Sequence, residues 1–439
     1  MHSHSQWIPT MGPRCRFRPS ARRLAIPRHP DEPAPRARQA PRRWRRTATQ
    51  FAPPPPRDAT PTLAHRDAAR PTATPHHLED RDTTPTLAHR DTTPLLPPPA
   101  TPHHLDGLEP YREGAFTITW LITGGAGYIG AHVVRAMRGA GSEVVVLDDL
   151  STGMRGRVPD DVPLAVASIA DLDRVRQTLV DHRVTGVVHL AAKKAVEESV
   201  ARPLTYYREN VEGLRRLLEA MVAEDVGRLV YSSSAAVYGI PPHSPVTEDA
   251  PTVPINPYGQ TKLAGEWLAD AVGRTTGMRT VSLRYFNVAG AGAPELGDPG
   301  VANLVPLALR ALATGQPPKV FGDDYPTPDG TCVRDYIHVA DLATAHVAAA
   351  AAIDEEASGR VYNVSRGVGA SVREVLATAG AVTGIDLDAE VVDRRPGDPP
   401  ELVGDATAIE QELGWRAGHD LTDMLASAWQ ASATAADAG

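Results

Sequence analysis

Tyr258 and Lys262 stand four residues apart in P-Y-G-Q-T-K-L-A-G-E-W-L. Pro257 suits the first position of a helix, and the pattern after it is helical. Residues at i and i+4 share a helix face one turn apart, so both side chains can serve one site. A tyrosine hydroxyl, with a reference pKa of about 10, is a poor base near neutral pH. A neighbouring ammonium favours the phenolate, which can then take a proton from an alcohol. The bland alternative is an exposed tyrosine beside a solvated lysine. Against it, the whole chain of 439 residues has four lysines. A chance pairing at this spacing is therefore improbable.

The segments before this pair tell what takes the electrons. T-I-T-W-L-I-T (117–123) reads as a strand and runs into G-G-A-G-Y-I-G, then the amphipathic A-H-V-V-R-A-M-R-G-A-G. Val133, Val134 and Met137 share that helix's apolar face. S-E-V-V-V-L-D-D is a second strand ending at Asp148 and Asp149. Gly124 permits a tight turn, Gly127 lets the backbone approach a pyrophosphate, and Gly130 lets the helix pack close to the sheet. The helix N-terminus offers free N–H groups to the phosphates. Asp148 can accept hydrogen bonds from ribose hydroxyls and would repel a 2′-phosphate, which favours NAD over NADP. A nicotinamide ring adds positive charge beside Tyr258 and accepts the hydride.

Strands and helices keep alternating. D-L-D-R-V-R-Q-T-L-V and R-E-N-V-E-G-L-R-R-L-L-E-A-M read as helices, and T-G-V-V-H-L-A-A and R-L-V-Y-S-S-S as strands. This implies an α/β fold with a doubly wound parallel sheet, Rossmann-like, whose ligands sit at the carboxyl ends of strands. Those ends are Ala191 to Lys194 and Ser232 to Ser234. The expected organisation is an extension over 1–115, an NAD-binding domain over 116–285, and a smaller α/β substrate domain over 286–439. Segments of the last, such as V-Y-N-V-S at 361–365, are expected to return to the main sheet.

The extension differs in kind. It holds 18 Arg, no Lys and 11 acidic residues, whereas the rest holds 27 basic and 42 acidic residues. The acidic body argues against a nucleic-acid partner. Dense prolines and the short repeats D-A-T-P-T-L-A-H-R-D (58–67) and D-T-T-P-T-L-A-H-R-D (82–91) mark low complexity and predict disorder. Translated upstream sequence, a basic arm and a transit peptide are the other readings of it. The paired histidines at 76–77 and 103–104 lack further ligands at metal spacing, so no metal site is expected. Two cysteines, Cys15 and Cys332, give no disulfide framework. No signal sequence or membrane-length apolar run is found, so a cytoplasmic protein is expected.

Beyond these elements, T-G-G-A-G-Y-I-G, K-A-V-E-E-S-V, Y-S-S-S-A-A-V-Y-G, P-Y-G-Q-T-K, L-R-Y-F-N-V-A-G and F-G-D-D-Y-P-T-P-D-G-T-C-V-R-D-Y-I-H-V-A-D-L are all present. Together they resemble the extended short-chain dehydrogenase/reductase family, and within it the UDP-glucose 4-epimerases, across residues 117–430. Ser232-Ser233-Ser234 argues against related dehydratases, which carry Thr-Asp-Glu near that place. The resemblance implies that Tyr258 is the base, Lys262 holds the nicotinamide ribose, and Ser234 bonds the reacting hydroxyl. It implies NAD contacts at Tyr128, Ile129, Asp148, Lys194, Asn210 and Phe286. The neighbouring Asp149, Leu150, Ser168, Ile169, Leu190, Ala191, Ala192 and Ser232 are expected beside them. For a UDP-sugar it implies Asn287, Asn303, Leu304, Val320, Phe321, Arg334, Tyr336, Arg395, Asp398 and Leu402. Arginine suits a diphosphate because its planar fork pairs two oxygens. The alternative for Arg334 is a surface ion pair with Asp335.

The implied reaction interconverts UDP-galactose and UDP-glucose, in galactose metabolism, by transient oxidation at the sugar 4-position and return of hydride to the opposite face. A homodimer is implied as well. Two departures from the family pattern stand out. Ser168 replaces a usual acid near the adenine, and Leu402 occupies the position whose bulk gates N-acetylated sugars. A 4-epimerase for an N-acetylhexosamine, pentose or uronate stays open as the alternative. So does a non-catalytic NAD-binding sensor, although Tyr, Lys and Ser are all kept.

Overall fold

Side-chain alternation on the first strand, β1 (Thr119–Thr123), divides the core. Trp120 and Ile122 face one side and Leu121 the other, and all three are buried. A strand covered on both faces belongs in the middle of a parallel sheet. The structure is a computed structural model that describes residues 118–300, 303–354, 358–386, 388–395 and 397–437, with side chains placed through 433. The extension expected over 1–115 lies outside the described residues.

From β1 the chain runs through α1 (Tyr128–Gly139), β2 (Glu143–Asp148), β3 (Leu164–Val166), α2 (Leu172–Asp181) and β4 (Gly186–His189). Then come α3 (Val196–Ala201), α4 (Pro203–Tyr206), a π-helical turn (Tyr207–Glu212) and α5 (Gly213–Ala223). β5 (Arg228–Ser232), α6 (Pro257–Thr276) and β6 (Arg279–Tyr285) follow. The run 208–221, read from sequence as one helix, is thus a π turn leading into α5. Nothing local in R-E-N-V-E-G marks that widening. It carries Asn210, which bonds across to Lys193 and Thr261.

The rest comprises β7 (Asn287–Ala289), α7 (Leu304–Thr314), β8 (Lys319–Phe321), β9 (Val333–His338), α8 (Val339–Ala352) and β10 (Arg360–Val364). β11 (Gly369–Ser371), α9 (Val372–Thr383), β12 (Glu390–Val392), β13 (Glu401–Leu402), α10 (Thr407–Leu413) and α11 (Leu421–Asp437) complete it. The main sheet is seven-stranded and parallel, in the order β10-β6-β5-β4-β1-β2-β3. This is the doubly wound, Rossmann-like sheet expected. β10 does return to it, pairing with β6 from Arg360–Val281 to Val364–Tyr285.

α1 and α8 cover one face of the sheet; α2, α5 and α6 cover the other. The order reverses between β1 and β4, and a crevice opens there at the strands' carboxyl ends. The smaller part has β9 paired with β7, β11 and β13, a separate β8–β12 pair, and a third core under α7, α9 and α11. Among the described residues no helix is long and apolar enough to cross a membrane.

Candidate active site

The glycine loop joins β1 to α1. Gly124 has φ +73°, and a Cβ there would lie 2.8 Å from the Ala191 nitrogen, at the end of β4. At Gly130 a Cβ would lie 2.1 Å from the Gly124 carbonyl oxygen. The close approach at Gly130 is therefore to the loop itself, a finer placement than helix against sheet. The first turn of α1 has no acidic residue, and its N-cap, Gly127, supplies no side-chain acceptor. Its N–H groups stay available to an anion. Asp148 is buried at the end of β2. Its Oδ2 accepts from Ala126 N at 3.0 Å and its Oδ1 from Leu150 N at 2.9 Å. Burial pushes this carboxyl up, and the two backbone donors pull it down. Asp148 thus braces the loop as well as closing the strand. Ser168 Oγ accepts from Ala170 N at 3.2 Å.

Asn256 caps α6, its Oδ1 accepting from Gly259 N at 2.9 Å, with Pro257 in the first turn. Tyr258, Lys262 and Glu266 follow on one buried face. Lys262 Nζ donates to the Ser232 carbonyl at 2.7 Å and lies 5.3 Å from the centre of the Tyr231 ring. Burial lowers its pKa to about 8, while Glu266 acts in the opposite direction. Burial raises the Tyr258 phenol, and a hydrogen bond with Ser234 partly offsets that. The ammonium therefore meets the strand end and not the phenol directly, because Ser232 O captures it. Behind them His189, buried and hydrogen-bonded to Thr123 at 2.7 Å, is held neutral, its pKa lowered to about 3 by burial and then by Lys262.

A cavity of about 440 Å³ opens onto Tyr258 and Ser234. Tyr128, Ile129 and Lys194 line it on the glycine-loop side, and Phe286, Asn287, Asn303, Arg334, Asp398 and Leu402 on the other. Arg334, 14% exposed, pairs with Asp398 at 3.4 Å. The alternative pairing with Asp335 is not formed. Neighbours on a strand point to opposite faces, so Asp335 turns inward. There it accepts from Arg366 N at 2.9 Å and Gly367 N at 3.0 Å, and burial raises its pKa to about 7.

Other expected residues lie outside this cavity. Arg395 stacks on Phe321 at 3.9 Å, next to the buried Val320, in the β8–β12 region. Tyr336 is buried and hydrogen-bonded to Asn287, and Leu304 opens α7. Asn210 is buried and spends its amide on the Lys193 backbone and Thr261. Asp149 and Leu150 follow β2, Ile169 follows β3, and Leu190, Ala191 and Ala192 follow β4. Among the described residues no cluster of three His, Cys, Asp or Glu could hold a metal.

A family model described as the NAD dependent epimerase/dehydratase family matches residues 120–365. The chain belongs to the NAD dependent epimerase/dehydratase family. Within the family it is 47% identical over 319 residues to a UDP-glucose 4-epimerase of Azospirillum brasilense, covering 71% of this chain and 92% of that one. It is 44% identical to one of Corynebacterium glutamicum, covering 70% and 94%. Among solved structures, a Stenotrophomonas maltophila UDP-glucose 4-epimerase with bound NAD and formylated UDP-arabinopyranose superposes with a TM-score of 0.71 at 40% identity. That match covers 73% of this chain and 100% of the other. A Brucella ovis UDP-glucose 4-epimerase in complex with NAD gives 0.69 at 39%, covering 71% and 98%. These relatives place this epimerase/dehydratase member among the UDP-glucose 4-epimerases.

The sequence motifs contain Ser233, Tyr238, Glu266, Arg284 and Tyr285 but gave none of them a role in the site. The one available signal was Glu266, a further four residues along the face of Tyr258 and Lys262.

Proposed function

We propose that this chain interconverts UDP-galactose and UDP-glucose, with NAD as its resident cofactor and Tyr258 as the base. The observation that carries this is one cavity with Tyr258 and Ser234 at its floor, a glycine loop on one side and Arg334 on the other. The residues present fit NAD. The cradle at Gly124 and Gly130 has no room for a Cβ, and the α1 N-terminus keeps its donors for a pyrophosphate. When bound, NAD supplies the hydride acceptor and a positive ring near Tyr258.

Ser234 orients the sugar 4-hydroxyl toward Tyr258. Tyr258 takes its proton, and Lys262 stabilises the site's negative charge and holds the nicotinamide ribose. Arg334 grips the diphosphate, and the apolar walls Val196, Val200 and Ile255 leave the sugar end loosely held. The 4-keto sugar can then present its other face to the same site while UDP stays anchored. Tyr258 returns the proton as the bond re-forms, so acid and base are one residue.

The test is Tyr258→Phe assayed for UDP-galactose conversion by product separation, since the reaction leaves no net NADH. Turnover is expected to fall by roughly 10²–10⁴-fold; a variant as fast as the parent would overturn the assignment. A second reading, action on another UDP-sugar, draws on Leu402 at the cavity wall. Parallel assays with UDP-N-acetylglucosamine, UDP-xylose and UDP-glucuronate separate the two. We further read the protein as a cytoplasmic homodimer. Leu204 and Trp267, 85% and 64% exposed on the contacting helices α4 and α6, offer an apolar face to a second copy. Sedimentation of the full chain decides it.

A further inference from the structure

Helix α6 carries a third polar residue on the face of Tyr258 and Lys262. Glu266 lies one turn beyond Lys262 and is buried like it. Its partner is Arg284 on β6, with Nη2 2.7 Å from Oε2 and Nε 2.9 Å from Oε1, a planar two-point pairing. Arg284 also donates to the Tyr238 hydroxyl at 3.0 Å and the Glu248 carbonyl at 3.1 Å. The Ser233 hydroxyl donates to Glu266 Oε1. Neither the proton transfer nor the grip on UDP uses these groups.

Ser233 sits between the two contacts of the reacting pair. The Ser232 carbonyl receives Lys262 Nζ, and the Ser234 hydroxyl bonds Tyr258. β5 ends at Ser232, so the next two residues leave the sheet. Ser233 keeps one backbone bond, to the Leu283 carbonyl at 2.8 Å, and the tether to Glu266 supplements it. Stability alone does not account for an ion pair this deep. Desolvating two charges costs about as much as their attraction returns. What the pair does accomplish is to hold α6 against β6 and to fix the Glu266 carboxylate, which the Ser233 hydroxyl reaches from the end of β5.

We propose that Glu266 and Arg284 are positioning residues for the Tyr258–Lys262 pair, their ion pair acting through Ser233 to fix the Ser232 carbonyl against Lys262 and the Ser234 hydroxyl beside Tyr258. This rests on the reading of Tyr258 as the base. The charges agree with it. Lys262 is faced by His189 from β4, Tyr231 from β5, and Tyr258 and Glu266 from its own helix. Tyr258 is faced by Tyr206, Tyr231 and Tyr285. Glu266 is the one anion among these named groups, and it supports the Lys262 ammonium against burial.

The experiment compares the full chain with two variants that keep Tyr258, Lys262 and Ser234. One is the charge-neutral double variant Glu266→Gln/Arg284→Met; the other is Ser233→Ala. With folding checked by circular dichroism, the double variant is expected to turn over UDP-galactose about tenfold more slowly at a KM within about twofold of the parent's. Its pH profile for kcat should narrow. The alkaline limb, where Lys262 loses its proton, moves to lower pH, and the acid limb moves to higher pH. Ser233→Ala should shift kcat the same way by roughly threefold, and it decides the matter if the double variant does not fold. Parental kcat and pH limbs in a folded variant would overturn the proposal. If the parent itself fails to convert UDP-galactose, the functional reading is what falls. Positioning is then read from ultraviolet difference titration of the Tyr258 phenolate, with NAD present and Tyr258→Phe as blank. A titration displaced to higher pH in the variants supports it, and one unchanged from the parent overturns it.

Discussion

Arg334 Nη2 lies 3.4 Å from Asp398 Oδ1, an arginine and a carboxylate facing each other across the wall of the cavity. The carboxylate is 38% exposed, and a part-exposed ion pair is worth at most about 1 kcal/mol. A diphosphate carries more charge and can meet the guanidinium at two oxygens, so exchanging one anion for the other costs little. Replacing Arg334 by Met removes the guanidinium proposed to hold the diphosphate and leaves Asp398 without this partner. Affinity for free UDP, measured by titration calorimetry, is expected to drop roughly 10- to 100-fold, the value of a lost charged hydrogen bond of about 1.5–3 kcal/mol.

Gly130→Ala tests the cradle. The new methyl would lie 2.1 Å from the Gly124 carbonyl oxygen and 2.7 Å from the Gly125 Cα, both backbone atoms that cannot swing aside. The loop must shift, and with it the α1 N–H donors proposed for the pyrophosphate. Purified variant is expected to retain less than about a tenth of the parent's NAD per chain, read from cofactor released on denaturation. A parental NAD content would show that the loop tolerates the displacement.

Leu402 stands beside Arg334 in the β13–β9 pairing and packs against the cluster that holds Phe286. Leu402→Tyr adds bulk to the cavity wall, so the test is the ratio between two sugars that share the same UDP. Relative turnover of UDP-N-acetylglucosamine against UDP-galactose should fall about tenfold, the scale of misfit in an apolar pocket. An unchanged ratio would remove Leu402 from sugar selection.

His419 anchors the turn before α11. Its Nδ1 lies 2.8 Å from Asp341 Oδ1, and its ring stacks on His338 at 4.2 Å between centroids. The Asp341 carboxylate raises its pKa above the ordinary value. A raised histidine pKa adds stability that is fully present below the unfolded pKa of about 6.5 and is lost as pH climbs through the folded value. His419→Gln should therefore lower the urea midpoint at pH 6, by the equivalent of roughly 0.5–1 kcal/mol because the histidine of the pair is half-exposed. The difference should shrink toward pH 9. A constant difference across that range would assign the loss to packing.

The Tyr258–Lys262 pair and the glycine loop were legible because both are local. Tyr258 and Lys262 need one helical turn, and the glycines need one strand, one loop and one helix. The polar network behind them was not, because Ser233, Glu266 and Arg284 meet through the β5–β6 register, which sets Ser232 opposite Leu283. No spacing in the chain announces that register. Arg334 was expected to share a site with Tyr258 and does line the same cavity, but its adjacency to Asp335 suggested a partner that strand alternation forbids. β11 and β13, three and two residues long, are too short to show any period.

β10 completes the edge of the main sheet beside β6 only after the chain has built β7, α7, β8, β9 and α8. During synthesis, then, the main sheet is still incomplete when β6 leaves the ribosome. β6 waits with an open edge until residue 364 has emerged, and the Asn363 side chain that meets Tyr238 arrives with it. A cut at residue 285 would separate β10 from the sheet it completes, so the stretch up to β6 does not contain its own whole sheet.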